Sequence, residues 1–197
     1  MTTLLDDNAL MARERDLERL RNAYALLGED KAQAITALTE LAEHGSIVSM
    51  LYLAQYYLRQ PNPDYANAEK WNRAAYEKGH SSTALFNLGT MYYSLRKLDL
   101  AEEIFFDGAT KGNASCMYWL ATLYFLYKYL EKKQEIKSLL ECAIKRGHVR
   151  SKHGLGRLLM KGHYGITNIP RGIYLYFSGM CESVRLADND PSDPRLW

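Results

Sequence analysis

The stretch from residue 68 to residue 93, AEKWNRAAYEKGHSSTALFNLGTMYY, decides the fold. Its first half has apolar residues at the i, i+3, i+7 and i+8 positions of one helical face: Ala68, Trp71, Ala75 and Tyr76. Gly79 follows, and it can adopt the positive φ with which many helices end. The second half repeats this pattern with Leu88 and Tyr92 on one face. The stretch therefore predicts two helices joined by a tight turn.

Working outward, the same turn glycine recurs along the chain. Gly45, Gly79, Gly112 and Gly147 are separated by 34, 33 and 35 residues. Such a period is the signature of a helical repeat protein. A second motif follows each glycine, Leu-Ala/Gly-x-x-Tyr/Leu, at Leu53-Ala54, Leu88-Gly89, Leu120-Ala121 and Leu155-Gly156. Each repeat is predicted to be an antiparallel helix pair that buries its apolar faces only by stacking on its neighbours.

The flanks of the repeats differ from them in pattern. Residues 1–29 contain a helical leucine stripe that ends at Gly28, so we predict an N-terminal capping helix there. Residues 30–184 hold about four and a half repeats. Residues 185–197, with the sequence DNDPSDPRLW at their end, predict an irregular tail in which Leu196 and Trp197 are either docked or disordered.

The repeat residues resemble the SEL-like repeat, a relative of the tetratricopeptide repeat. Two sets carry the resemblance: KGHYGITNIPRG at residues 161–172, and the positions Met50, Leu53-Ala54, Tyr57, Asp64, Ala68, Trp71, Ala75 and Gly79-His80. The resemblance implies an all-α fold, a right-handed α–α superhelix (solenoid) of stacked antiparallel helix pairs. It also implies the adaptor or scaffold role that is typical of such families.

Composition is that of an ordinary globular protein, with 47% hydrophobic and 24% charged residues in 197. The N-terminus has no secretory signal pattern, so we expect a cytoplasmic protein. The uncharged run at residues 113–127 is too short for a membrane span. Cys116, Cys142 and Cys181 are an odd number without close spacing, which argues against disulfides and thiolate metal sites.

The charge is uneven although the net charge is only +2. Residues 128–163 carry 10 Lys or Arg against 3 Asp or Glu. This segment could attract an acidic partner, but it lacks a nucleic-acid motif, and we interpret most of it as a solvated face. We therefore expect no nucleic-acid partner.

In stacked helix pairs the first helix of each repeat lines the concave face. Its outward register predicts a groove that is aromatic in the middle and basic at the C-terminal end. The predicted partner-binding residues are Phe86, Thr90, Tyr93, Tyr118, Thr122, Phe125, His153 and Arg157. Tyrosine and arginine are favoured at binding hot spots, so a protein or peptide ligand is the expected partner, and the basic end of the groove leaves an acidic ligand open. The competing interpretation is that half of these rings only pack between repeats.

Two other functions stay open. The first is a bacterial toxin-neutralising (immunity) protein, which is also a binding role. The second is a hydrolase of the kind proposed for cysteine-rich relatives, which the missing cysteine pairs make unfavourable. No residue pattern indicates a catalytic, metal or cofactor site, because His153 has no carboxylate pair or nucleophile beside it. We predict a non-enzymatic interaction module without a cofactor, and its oligomeric state stays open.

Overall fold

The fold is all-α, as the sequence predicts. A computed structural model describes residues 4–190, 193 and 195, and within these ranges there is no β-strand, only an isolated bridge at Leu5. The α-helices are α1 Asp7–Met11, α2 Leu17–Leu26, α3 Lys31–Glu43, α4 Ile47–Leu58, α5 Tyr65–Gly79, α6 Ser82–Ser94, α7 Leu98–Thr110, α8 Ala114–Tyr127, α9 Tyr129–Lys145, α10 Val149–Met160 and α11 Ile169–Asn189. A 3₁₀ helix, Ile166–Asn168, precedes α11.

The chain forms two compact units, residues 1–104 and residues 105–197. Consecutive helices are the main packing partners within each unit. In the first unit α2 packs on α3 and α4 on α5, and in the second α8 packs on α9 and α10 on α11. The predicted helix pairs are therefore present in both units.

The core of the first unit confirms the apolar stripe predicted for the repeats. Leu38, Met50 and Leu53 are fully buried, and Trp71 is 5% exposed. The small residues Ala42, Ala54 and Ala75 are part of the same cluster. Large side chains from one helix thus fit over small ones from the next, which is how helices approach closely.

The turn at Gly79 differs from the prediction. Gly79 is the last residue of α5, and the positive φ that ends the helix belongs to His80, at 49°. Gly79 is required for space instead, because a Cβ there would lie 2.8 Å from Cγ1 of Ile47. The other repeat glycines do take a positive φ: Gly45, Gly112 and Gly147 have values of 103°, 88° and 83°.

The N-terminal segment is also more than a single capping helix, since it holds both α1 and α2. The N–H of Leu5 donates to the carbonyl of His80 at 2.9 Å, and the N–H of Ser82 donates to the carbonyl of Leu5 at 2.9 Å. The hydroxyl of Thr83, in the first turn of α6, donates to Asp7 at 2.8 Å.

A second acidic contact lies at the start of α4. The hydroxyl of Ser46, its N-cap, donates to Glu14 at 2.7 Å. Carboxylates near helix N-termini are favourable, so Asp7 and Glu14 hold this segment against α6 and α4.

The C-terminal end of the chain differs from the prediction in where its last helix ends. Helix α11 runs to Asn189, so residues 185–189 are helical and the predicted irregular tail cannot begin at residue 185. Pro170 lies in its first turn, where a missing N–H is tolerated. Leu196 and Trp197 lie outside the described residues. None of the helices described has both the length and the apolar character needed to cross a bilayer.

A buried tyrosine makes part of the stability of the first unit dependent on pH. The hydroxyl of Tyr92 donates to Glu69 at 2.6 Å and accepts a hydrogen bond from Arg73 at 2.7 Å. The hydrogen bond from Tyr92, followed by the contact with Arg73, lowers the pKa of Glu69 below its usual 4.5. A carboxyl group with a lowered pKa stabilises the fold above its unfolded pKa, and this contribution is lost as the pH falls through the folded value.

Tyr92→Phe should remove the hydrogen bond while keeping the ring. We expect the free energy of unfolding to fall by about 1 kcal/mol at neutral pH. The difference from the native chain should shrink between about pH 5 and pH 3, because the protonated Glu69 no longer benefits from the bond. Urea titrations at a series of pH values would measure this, with the exposed Tyr65→Phe as the control. A difference that does not change with pH would contradict the role assigned to Glu69.

Candidate functional site

The second unit contains an open cleft of about 170 Å³. Helices α8 and α10 form its walls, and α9 contributes the buried Ile136 and Leu140. The remaining lining residues are Tyr118, Ala121, Thr122, Phe125, Gly154, Arg157, Leu158 and Lys161. The cleft is therefore built from two helix faces and a hydrophobic floor.

Four of the predicted partner-binding residues lie together here. Tyr118, Thr122 and Phe125 occupy the i, i+4 and i+7 positions of α8, so they share one face of that helix. Arg157 comes from the facing helix, α10. The hydroxyl of Thr122 donates to the carbonyl of Tyr118 at 2.9 Å, so this hydroxyl is hydrogen-bonded within α8. The methyl group is the apolar part of the Thr122 side chain.

Ring contacts hold both ends of the α8 wall in place. The ring of Tyr118 lies 5.2 Å from the ring of His148, and the guanidinium of Arg150 lies 5.6 Å from the centre of the Tyr118 ring. The ring of Phe125 packs edge-on against Tyr129 at 5.4 Å. Both aromatic residues therefore have structural contacts besides facing the cleft, which makes the wall rigid.

Two glycines of α10 have different roles. Gly156 lies at a close approach of two helices, because a Cβ there would meet the backbone nitrogen of Tyr176 at 2.8 Å. At Gly154 a Cβ would meet Cε2 of Tyr118 at 3.5 Å and Cδ2 of Leu140 at 3.7 Å, which are ordinary contacts. Gly154 thus leaves room in the cleft, while Gly156 allows α11 to approach.

Most cations of the basic segment already have contacts inside the fold. Lys133 and Lys137 lie over the ring of Tyr164, at 5.5 and 5.6 Å from its centre. Lys152 forms an ion pair with Glu182. Further contacts of this kind involve Lys128, Lys132, Arg146 and Arg150. These cations are explained by packing.

Arg157 and Lys161 differ from the cations that have contacts inside the fold. Both are exposed at the rim of the cleft, and within the described ranges neither side chain has a hydrogen bond, an ion pair or a ring contact. Their positive charge is available to a ligand.

The other predicted residues lie elsewhere. Phe86, Thr90 and Tyr93 are half-buried on α6 in the first unit. The hydroxyl of Thr90 donates to the carbonyl of Phe86 at 3.1 Å. His153 is in the second unit but points to α11, where its ring packs edge-on against Tyr176 at 5.5 Å. It contributes to helix packing and does not line the cleft.

The first unit has a cavity of about 380 Å³ beside α1. Leu51 and Gln55, one turn apart on α4, line this cavity together with Leu10 and Met11. The N-terminal segment thus covers part of this face of α4.

Sequence reasoning missed Lys161, Gly154 and the floor of the cleft. Lys161 could have been found, because it follows Arg157 by four residues, at the C-cap of α10. Ile136 and Leu140 belong to the stripe of α9 that the repeat pattern assigned to the core, and only the packing of three helices places these buried side chains at the floor of a cleft.

The thiol and metal chemistry of the described residues is limited. Cys116, Cys142 and Cys181 are all free. Burial raises the pKa of the Cys116 thiol far above its usual value, so this group is not a thiolate at neutral pH. In the described part of the chain no three His, Cys, Asp or Glu side chains are grouped so that they could hold a metal ion.

Comparison with known proteins gives one informative similarity. No protein-family model and no curated protein matches the sequence. Among solved structures, a protective antigen present in uropathogenic Escherichia coli strains, described as displaying an SLR (SEL-like repeat) fold, superposes with a TM-score of 0.62 and 22% identity. The match covers 77% of this chain and 35% of the antigen, so the chain spans about a third of the length of that protein. The chain therefore has the SEL-like repeat fold, an all-α solenoid of stacked helix pairs.

Proposed function

We propose that this chain is a protein-binding module whose second unit captures a bulky apolar side chain of a partner segment, with a carboxylate of that segment held by Arg157 and Lys161. The observation that carries the proposal is an apolar cleft with two unpaired cations at its rim. Helical repeat proteins commonly use such concave surfaces for protein interaction.

The size of the cleft sets the size of the anchor. An apolar cavity of about 150 Å³ holds a benzene molecule. The cleft, at about 170 Å³, accordingly fits one phenylalanine or leucine side chain. Ala121, Leu140 and Leu158 provide the apolar contact surface. Because ring contacts fix the α8 wall, little conformational entropy is lost when the anchor binds.

The rim of the cleft sets the charge of the partner. Arg157 lies in the last turn of α10 and Lys161, four residues later, is the C-cap of that helix, so one acidic residue next to the anchor can reach either of them. Exposed ion pairs add little energy but contribute to association rate and specificity. An acidic, apolar peptide is therefore favoured over a basic one.

We expect that a peptide array will reveal this preference directly. The array should carry peptides with a central Phe, Leu or Ala flanked either by Asp and Glu or by Lys. Phe and Leu in acidic surroundings should bind best, with an affinity that falls as salt is added.

The double substitution Arg157→Ala and Lys161→Ala should weaken the best peptide about three- to five-fold, which corresponds to ~0.6–1 kcal/mol. Lys145→Ala is the matched control, since Lys145 is an exposed cation of the same unit outside the cleft.

Thr122→Phe should block the apolar part of the cleft and abolish binding. Tyr118→Ala is unsuitable, because it also removes the contacts with His148 and Arg150. Equal binding of all peptides, or equal loss in the Lys145 control, would contradict the proposal.

A further inference from the structure

Helix α11 has two apolar faces. Gly172, Leu175 and Gly179 are buried on its inner side, and α11 packs against α10. The close approach is visible at Gly172, where a Cβ would lie 2.8 Å from the backbone nitrogen of Met160. The opposite side is apolar too, yet it remains exposed.

This exposed face, which we call the outer stripe, consists of Ile173, Tyr174, Phe177, Met180, Cys181 and Val184. Tyr174 is 71% exposed, Val184 59% and Phe177 56%. Among the helices described, no other carries more than two large apolar residues that are this exposed, whereas α11 carries five. Contiguous exposed apolar surface on a folded protein marks an interaction site.

The spacing of the outer stripe indicates what fits on it. Tyr174, Phe177, Cys181 and Val184 follow one another at intervals of three, four and three residues. This is the spacing of a helix that packs lengthwise against another helix in a coiled-coil-like manner. A helix with the same spacing is present in every copy of the chain, namely α11 itself.

We infer that the outer stripe of α11 packs against α11 of a second copy, so that the chain forms a two-fold symmetric dimer. In such a dimer the same patch is used twice and must be self-complementary. An apolar stripe meets this requirement, because its side chains pack equally well against their own kind. Arg171 and Glu182, which lie beside the buried side of α11, form ion pairs with Glu141 and Lys152 inside the second unit, so their charges do not enter the contact of the stripe.

The area available is sufficient for a specific but weak dimer. With about 200 Å² for a large side chain, the five exposed residues offer roughly 550 Å² per copy. Two copies would bury roughly 1,100 Å², just above the ~1,000 Å² expected of a biological interface. We therefore expect dissociation in the micromolar range.

Sedimentation equilibrium of the full chain between about 1 and 200 µM tests the inference. The native chain should pass from monomer to dimer within this range, and Phe177→Glu should weaken the dimer at least ~10-fold, as should Val184→Glu. Leu130→Glu is the matched control, because Leu130 is 92% exposed and lies outside the stripe. Helical circular dichroism and the melting temperature establish that each variant is folded.

Cross-linking supplies a second readout. Cys181 is exposed near the centre of the stripe, so a short bismaleimide should join two copies through it whether the helices run parallel or antiparallel. Cys181→Ser should abolish the covalent dimer while Cys142→Ser leaves it. A chain that stays monomeric at every concentration, or a dimer that survives both glutamate variants, would overturn the inference; the stripe would then be left to a helix of another protein.

Discussion

Trp71→Ala is expected to lower the free energy of unfolding of the first unit by ~3–5 kcal/mol. Trp71 is almost completely buried and belongs to the core cluster that includes Leu41, Met50 and Leu53. Truncation removes most of the buried apolar surface of an indole and leaves a cavity that neighbouring helices cannot fill without moving. The ammonium of Lys70, 4.7 Å from the centre of the indole ring, also loses its aromatic partner. This loss is a large fraction of the ~5–15 kcal/mol by which natural domains are stable, so the midpoint of urea unfolding should fall markedly.

Urea denaturation followed by circular dichroism would measure the effect. Tyr65→Ala is the control, since Tyr65 is a large aromatic residue on the same helix but is exposed. It should change stability by no more than about 0.5 kcal/mol. If Trp71→Ala were as mild as this control, the stacking of helix pairs in the first unit would be wrong.

Gly156→Ala and Gly154→Ala, two residues apart on α10, are expected to have opposite effects on stability. Alanine is favoured over glycine in a helix by ~0.5–1 kcal/mol, and this gain applies at both positions. At Gly156 a Cβ would meet the backbone nitrogen of Tyr176 at 2.8 Å and the carbonyl oxygen of Gly172 at 2.9 Å. Backbone atoms cannot rotate away, so α10 and α11 must separate. Overpacking of this kind costs ~1–3 kcal/mol, and Gly156→Ala should be destabilising.

Gly154→Ala should stabilise the second unit by close to the full helix gain, since the new methyl group meets Cε2 of Tyr118 at an ordinary 3.5 Å. The same methyl group narrows the cleft, so binding of the acidic apolar peptide should weaken while the melting temperature rises. Loss of binding with a gain in stability cannot come from partial unfolding. A destabilised Gly154→Ala, or a neutral Gly156→Ala, would show that the helix contacts are assigned to the wrong face.

Helix pairing was predictable because it depends on local periodicity. The stripe at Trp71 and Ala75 repeats every 33 to 35 residues, and each copy lies on a helix whose stripe faces its neighbours. The turn at Gly79 shows the limit of this reasoning. A glycine before a turn suggested positive φ, but its reason is contact with Ile47, 32 residues earlier in the chain.

The candidate site shows the same difference between what local periodicity predicts and what tertiary packing decides. The helical register of α8 was enough to place Tyr118, Thr122 and Phe125 on one face. His153 shares α10 with Arg157, yet its ring belongs to the contact with α11. Whether a side chain one turn away faces a groove or a neighbouring helix depends on the rotation of α10 against both α8 and α11, which no local pattern encodes.

The sequence by itself determined the all-α repeat fold, since the period of its apolar residues and turn glycines allows only stacked helix pairs. Only the tertiary structure decided which cations remain unpaired, because rings and carboxylates from other helices engage most of the basic segment and leave Arg157 and Lys161 at the cleft. It also decided which apolar face of α11 stays exposed, since burial depends on the neighbours that a helix meets after folding.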